Sequence, residues 1–130
     1  MMRRAIVASQ FTYAVSGPLK IYRESFGVHS DDYPTALITE GLILNKTSRS
    51  KQGETILRES VKLRTDSLPQ EHFWVAVANS ALGECLTTQK RFAEGETLLV
   101  ESYATLNSHL GPRDPRTAEA LRRLVELYDL

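Results

Sequence analysis

Residues 41–60 of this chain are repeated 42 positions later, and that internal repeat limits the possible folds more than any other feature of the sequence. Gly41 falls on Gly83, Leu44 on Leu86, Arg49 on Arg91 and Gly53 on Gly95; Glu54, Thr55, Leu57, Glu59 and Ser60 fall on Glu96, Thr97, Leu99, Glu101 and Ser102. Nine identities in twenty positions mark a duplicated structural unit rather than chance. At the same offset Ala76 reaches Ala118, Ala78 reaches Ala120 and Leu82 reaches Leu124, so a third unit begins and stops halfway. Going backwards, Ile21-Tyr22-Arg23-Glu24-Ser25 echoes Ile56-Leu57-Arg58-Glu59-Ser60 at an offset of 35. Offsets that preserve the cores and differ in the connections are what loop insertions produce in stacked repeats, because added loop length costs little.

Each unit has the pattern helix, turn, helix. From Trp74 onward, Val77, Ala78, Ala81, Leu82, Cys85 and Leu86 recur at steps of three and four, which places them on one helical face. After a polar turn, Phe92, Gly95, Leu98, Leu99, Ser102, Tyr103, Leu106 and Leu110 repeat the spacing. Gly111-Pro112 ends that helix, and Asp114-Pro115 opens the next with a side-chain cap and a proline where no N–H is needed. The spacing predicts seven helices and no strand, in one domain over 1–130: 3–15, 18–27, 34–46, 50–66, 72–88, 92–110 and 115–129.

Composition excludes several functions. Sixteen basic residues balance sixteen acidic ones, so no excess positive field gathers phosphates, and nucleic acid is not an expected partner. No run of about 18 apolar residues is present to cross a bilayer, and no membrane partner is expected. The Arg3-Arg4 pair before Ala5-Ile6-Val7-Ala8 has the start of a secretory signal, but Ser9, Gln10 and Thr12 interrupt the apolar stretch. A single cysteine, Cys85, can form neither an intrachain disulfide nor a thiolate metal site, which suits a reducing, cytoplasmic location.

The residues capable of chemistry are scattered. His29, His72 and His109 stand about one repeat apart near loops, a periodicity that spreads them along a stack instead of gathering them on one ion. Cys85 and His72 lie on or beside one helix about 20 Å apart at its rise per residue, too far for a thiol nucleophile and its base. Ser60 and Ser102 recur where a small residue suits a tight helix crossing. No nucleophile elbow, phosphate-binding loop or dinucleotide fingerprint occurs. The expectation is a protein that is not an enzyme and needs no cofactor or metal.

Leu82-Gly83, then Leu86, Gly95, Leu99 and Ser102, resembles the tetratricopeptide repeat, whose pattern alternates large and small residues at those places; Gly41, Leu44, Gly53, Leu57 and Ser60 repeat it. The 42-residue period, with loops Pro69-Gln70-Glu71-His72-Phe73 and Gly111-Pro112-Arg113-Asp114-Pro115, is similar to kinesin light chain repeats and to tandem repeats that follow some bacterial serine/threonine kinase domains. The resemblance covers about 18–130; Glu40 departs from a preferred leucine, Gly53 and Gly95 from the usual alanine, and the stretch from Arg3 to Val15 matches hardly at all.

The resemblance implies an all-α, right-handed superhelical solenoid of about three and a half helix pairs that binds protein or peptide on a concave face lined by the first helix of each pair. Carried over position by position, it places Thr35, Ile38, Leu42, Asn45 and Lys46 on that face, followed by Val77, Ser80, Glu84, Thr87 and Thr88, then Glu119, Arg122 and Glu126. Asn45 and Lys46 suit a peptide backbone or carboxylate, whereas Glu84, Glu119 and Glu126 with Arg122 suit a partner carrying positive charge. It also implies two alternatives: a recruitment segment of a signalling kinase and, from a different class, an RNA-binding helical repeat. Because no second helix follows Leu127 and Tyr128, a longer array or self-association through that end is expected.

Overall fold

A computed structural model describes residues 32–130, which form five α-helices and, among the described residues, no strand. They are α1 (Tyr33–Lys46), α2 (Ser50–Ser67), α3 (Phe73–Thr88), α4 (Phe92–Leu110) and α5 (Pro115–Tyr128). Every end lies within one residue of the position predicted from the spacing. The two helices predicted over 3–15 and 18–27, and His29, lie outside the described residues.

The helix ends follow local chemistry. Asp114 Oδ1 accepts from the Arg116 N–H at 2.9 Å while Pro115 takes the first helical position, and Gly111 closes α4 with φ +84°. At α3 the cap is His72, whose Nδ1 accepts from the Trp74 N–H at 3.0 Å. The two turns inside the units close identically: Arg49 N–H bonds to Leu44 O and Arg91 N–H to Leu86 O, each at 2.9 Å. That closure holds Ser48 at φ 67° and Lys90 at φ 64°, the left-handed region, in a repeat-equivalent pair that carries no glycine.

Helices α1 and α2 form one tight pair, and α3 and α4 another. Glycines set the spacing within each pair. A Cβ on Gly41 would stand 2.6 Å from Leu57 Cγ and one on Gly53 2.6 Å from Gly41 O; in the second pair a Cβ on Gly83 would meet Leu99 Cδ2 at 2.8 Å. Leu57, Leu86 and Leu99 fill the remaining space and are fully buried. Ser60 and Ser102 are buried as well, their hydroxyls donating to Pro34 O and Leu99 O. Size and a backbone acceptor thus account for both serines.

The pairs pack on one another in turn. Leu57 joins Ala81, Leu82, Cys85 and Leu86 of α3 in a cluster that Ile38 and Leu42 of α1 cover from the other side. Ala76, Leu106 and Ala120 then join α3, α4 and α5. Besides its own partner, α3 touches both α1 and α5, so the first helices of successive units contact one another. At the opposite end of α3 from the turn, two guanidinium groups stack on the Trp74 ring, Arg64 at 5.0 Å and Arg116 at 5.1 Å from its centroid, which ties α2, α3 and α5 together.

Because Ser48 holds a left-handed conformation that costs a non-glycine residue about 1 kcal/mol, the Ser48→Gly variant is expected to be more stable by up to about 1 kcal/mol. Thermal unfolding followed by circular dichroism should show a melting temperature raised by a few degrees; an unchanged or lowered value would mean that the turn stores no such strain.

Candidate functional site

The C-terminal halves of α1, α3 and α5 enclose an open cleft of about 640 Å³. Its walls are Asn45 and Lys46 at the end of α1, Glu84, Thr87 and Thr88 on α3, and Arg122, Arg123, Glu126, Leu127 and Leu130 on or just beyond α5; among these Asn45 is repeat-equivalent to Thr87, Lys46 to Thr88 and Leu130, and Glu84 to Glu126. Lys90 and Phe92 close it from the α3–α4 turn. Seven of the thirteen residues carried over from the repeat pattern therefore line one cleft: Asn45, Lys46, Glu84, Thr87, Thr88, Arg122 and Glu126.

The other six stand elsewhere. Thr35 is exposed at the far end of α1, where its hydroxyl accepts from Arg64 Nη2 at 3.2 Å. Ile38 and Leu42 pack on the Leu57–Leu86 cluster, and Val77 on Ala76, Leu106 and Ala120. Ser80 is 1% exposed and takes a hydrogen bond from Arg123 Nη1 at 2.9 Å, so it contributes to the cleft only through that arginine. Glu119 lies beside the cleft, bound to Arg122. Asn45, although on the wall, is committed internally: its Nδ2 donates to Thr88 Oγ1 at 3.1 Å and its Oδ1 accepts from Ser50 Oγ at 2.8 Å.

Electrostatics divide the charged residues into two sets. Glu84 accepts from Arg123 Nε at 2.7 Å and from Arg122 Nη2 at 3.2 Å; Arg122 also grips Glu119 at 2.6 Å and Glu126. Arg123 is 8% exposed, a buried guanidinium whose Nε donates to Glu84 and whose Nη1 donates to Ser80. The Arg122 hydrogen bond holds the Glu119 carboxyl below its ordinary range, against the opposing effect of burial. All three acids expected to attract a positive partner are thus paired within the chain. Lys46 and Lys90, in contrast, make no hydrogen bond or ion pair with any described side chain, although Lys46 is near enough to Glu119 to help hold its carboxyl low; Lys46 ends α1, where the macrodipole favours a cation, and Lys90 sits in the turn beyond α3.

Five residues of the cleft, Lys90, Phe92, Arg123, Leu127 and Leu130, are not among those carried over from the repeat pattern. Arg123 occupies the position of Thr39, which is exposed, and of Ala81, which is buried. Lys90 sits in a turn, and Leu127 and Leu130 reach the cleft only because α5 packs against α3. The 42-residue offset does flag Arg123, where a guanidinium stands in place of an alanine. For the remaining nucleophile candidate, burial pushes the Cys85 thiol up to about 11 and its Sγ points to Ser50 O at 3.1 Å, so it remains a thiol in the core.

No protein-family model matches the chain, and comparison with curated proteins finds no match either.

Truncating Glu84→Ala would leave the buried Arg123 short of its main partner and is expected to cost about 2 kcal/mol, read as a lower urea midpoint with an unchanged slope. Stability should also depend on pH. Hydrogen bonds from Arg122 hold Glu119 low, and those from Arg116 hold Asp114 low; both contribute stability above the ordinary carboxylate pKa of about 4. That contribution disappears as pH falls through their depressed folded values, so unfolding free energy should decline below about pH 4. A flat profile from pH 7 down to about pH 3 would contradict the pairing.

Proposed function

We propose that this chain is a non-catalytic protein-interaction module of the tetratricopeptide type, a stack of helix pairs whose first helices form a binding face, and that the cleft at their C-terminal ends holds an acidic segment of a partner protein. The observation that carries this reading is the division of charge in the cleft. Glu84, Glu119 and Glu126 are hydrogen-bonded to Arg122 and Arg123, while neither Lys46 nor Lys90 makes a hydrogen bond or ion pair with a described side chain, on a wall shared with Phe92, Leu127 and Leu130. Two unpaired cations beside an apolar edge suit a carboxylate-bearing peptide with one or two apolar side chains. The repeat supports the same reading, because part of the lining comes from equivalent positions in successive units: Asn45 and Thr87, Lys46, Thr88 and Leu130, and Glu84 and Glu126.

The experiment is an array of immobilised synthetic peptides of varied charge, probed with the chain and with the double variant Lys46→Glu/Lys90→Glu. Acid-rich peptides should be retained, with binding that weakens as salt rises, and the double variant should lose them by at least tenfold, about 1.4 kcal/mol. Retention of basic peptides, or of acidic ones by the double variant, would assign the charge wrongly.

A further inference from the structure

One arginine of the cleft holds three acids, and it holds them unequally. A guanidinium carries five N–H groups. In Arg122, Nε donates to Glu119 Oε1 at 2.8 Å, and Nη2 donates to Glu119 Oε2 at 2.6 Å and to Glu84 Oε1 at 3.2 Å. Nη1 donates to Glu126 Oε2, and its second N–H has no acceptor among the described residues.

The three carboxylates are not equally exchangeable. The Glu84 side chain is 14% exposed and takes a shorter bond from Arg123 Nε at 2.7 Å. Glu119 accepts through both oxygens, the paired geometry that makes an arginine and a carboxylate hold best, and Arg123 Nη2 stands 3.6 Å from it. Glu126 is the repeat equivalent of Glu84, yet its side chain is 62% exposed and Arg122 Nη1 is its one hydrogen-bond donor among the described residues. It follows Arg122 by four residues on the same helix, and exposed ion pairs at that spacing are weak. Water can replace that bond at little cost, so the Nη1 edge of Arg122 is the part of the network open to exchange.

That edge belongs to the wall the lysines share. Lys46 is near enough to Glu119 to help hold its carboxyl low, so Lys46 and Arg122 flank the same carboxylate. The lining carries four cations, Lys46, Lys90, Arg122 and Arg123, against two carboxylates, Glu84 and Glu126, an excess of two positive charges that becomes three when Glu126 turns into solvent.

We propose that Glu126 determines which acidic segments the cleft accepts: it occupies Arg122 Nη1 in place of a ligand carboxylate, and a segment carrying a third acid, beyond the two that Lys46 and Lys90 take, displaces it and bonds to Arg122. This inference rests on the reading of the cleft as a site for an acidic segment. It adds a selection by the number of acids, because a segment with two leaves Glu126 in place and feels its repulsion, whereas a third gains a charged hydrogen bond.

The probes are two amidated peptides carrying a neutral fluorophore, Gly-Leu-Glu-Glu-Leu-Gly and Gly-Leu-Glu-Glu-Glu-Leu-Gly, titrated by fluorescence anisotropy against the full chain, its Glu126→Gln variant and its Asp129→Asn variant. Asp129→Asn removes the same charge from an exposed residue outside the cleft. The third acid should improve binding about fivefold more with Glu126→Gln than with the parent chain. With Asp129→Asn the two peptides should keep the ratio that the parent shows, since an exposed charge away from the cleft is screened at about 0.15 M salt. If Glu126→Gln strengthens both peptides equally, or Asp129→Asn reproduces its effect, while Lys46→Glu/Lys90→Glu still abolishes binding, the role of Glu126 is overturned and the cleft reading stands. If neither peptide binds, or both bind Lys46→Glu/Lys90→Glu as well as the parent, the cleft reading goes, and this inference with it.

Discussion

The close approach of backbone to backbone at Gly41–Gly53, and again at Gly83–Gly95, is the constraint on which the remaining structure depends. Helices that carry side chains at their crossing stand about 8–10 Å apart; glycine on both sides puts Gly41 O against Gly53, where even a methyl group would collide at 2.6 Å, and Gly83 O against Gly95, where one would stand at 3.1 Å. That contact fixes where Leu57 and Leu99 insert, and they in turn define the surface each pair presents to the next. An alanine at Gly53 would meet Gly41 O at 2.6 Å, a backbone atom that cannot swing aside as a side chain can. The pairs are therefore rigid units, and what varies between them is carried by the turns and the outer faces.

Repetition makes the differences between units informative. Glu54 collects Arg58, Gln89 and Arg91, and the donors outweigh the burial that would otherwise raise its carboxyl, holding it below the ordinary range. Glu96, its counterpart, has Val100 in place of Arg58 and, among the described residues, a hydrogen bond from the Tyr128 hydroxyl alone. The same position thus serves as a closed internal clasp in one unit and an open carboxylate in the next. Similarly, Ala81 becomes Arg123, and a position that packs as a small apolar residue in α3 becomes in α5 a buried cation requiring Glu84 and Ser80 to hold it. That pairing locks α5 onto α3 through directional bonds.

How far this was legible from sequence depended on whether a position is decided by local chemistry. Helix ends are local: Asp114-Pro115 and Gly111 announce themselves, and the described boundaries lie where the spacing put them. The glycine crossings were legible because small residues recurred at fixed intervals. The His72 cap was not, since histidine seldom serves as a cap, nor was the left-handed Lys90, because a glycine normally marks that conformation. The cleft was legible as a set of positions but not as a charge. Glu84, Glu119 and Glu126 read as an acidic surface until rotamers bring Arg122 and Arg123 across, and ion pairing between helices 38 or 39 residues apart in sequence has no local signature.

The cleft and the crossing are built from the same atoms. Thr87 lines the cleft, and its Cγ2 would stand 2.6 Å from a Cβ on Gly95; Asn45 lines it as well, and its backbone nitrogen would stand 3.3 Å from a Cβ on Gly53. The hydrogen bond from Asn45 to Thr88 then joins the two walls across the unit boundary. A surface held this way does not adapt by loop movement, because shifting either wall means opening a glycine contact that the core has closed. The wall spacing is therefore fixed before any ligand arrives, and binding there need not spend free energy on ordering the site. What remains free to select a partner is the handful of side chains that project beyond this frame, and of those lining the cleft, Lys46 and Lys90 are the charged ones not already held by a described neighbour.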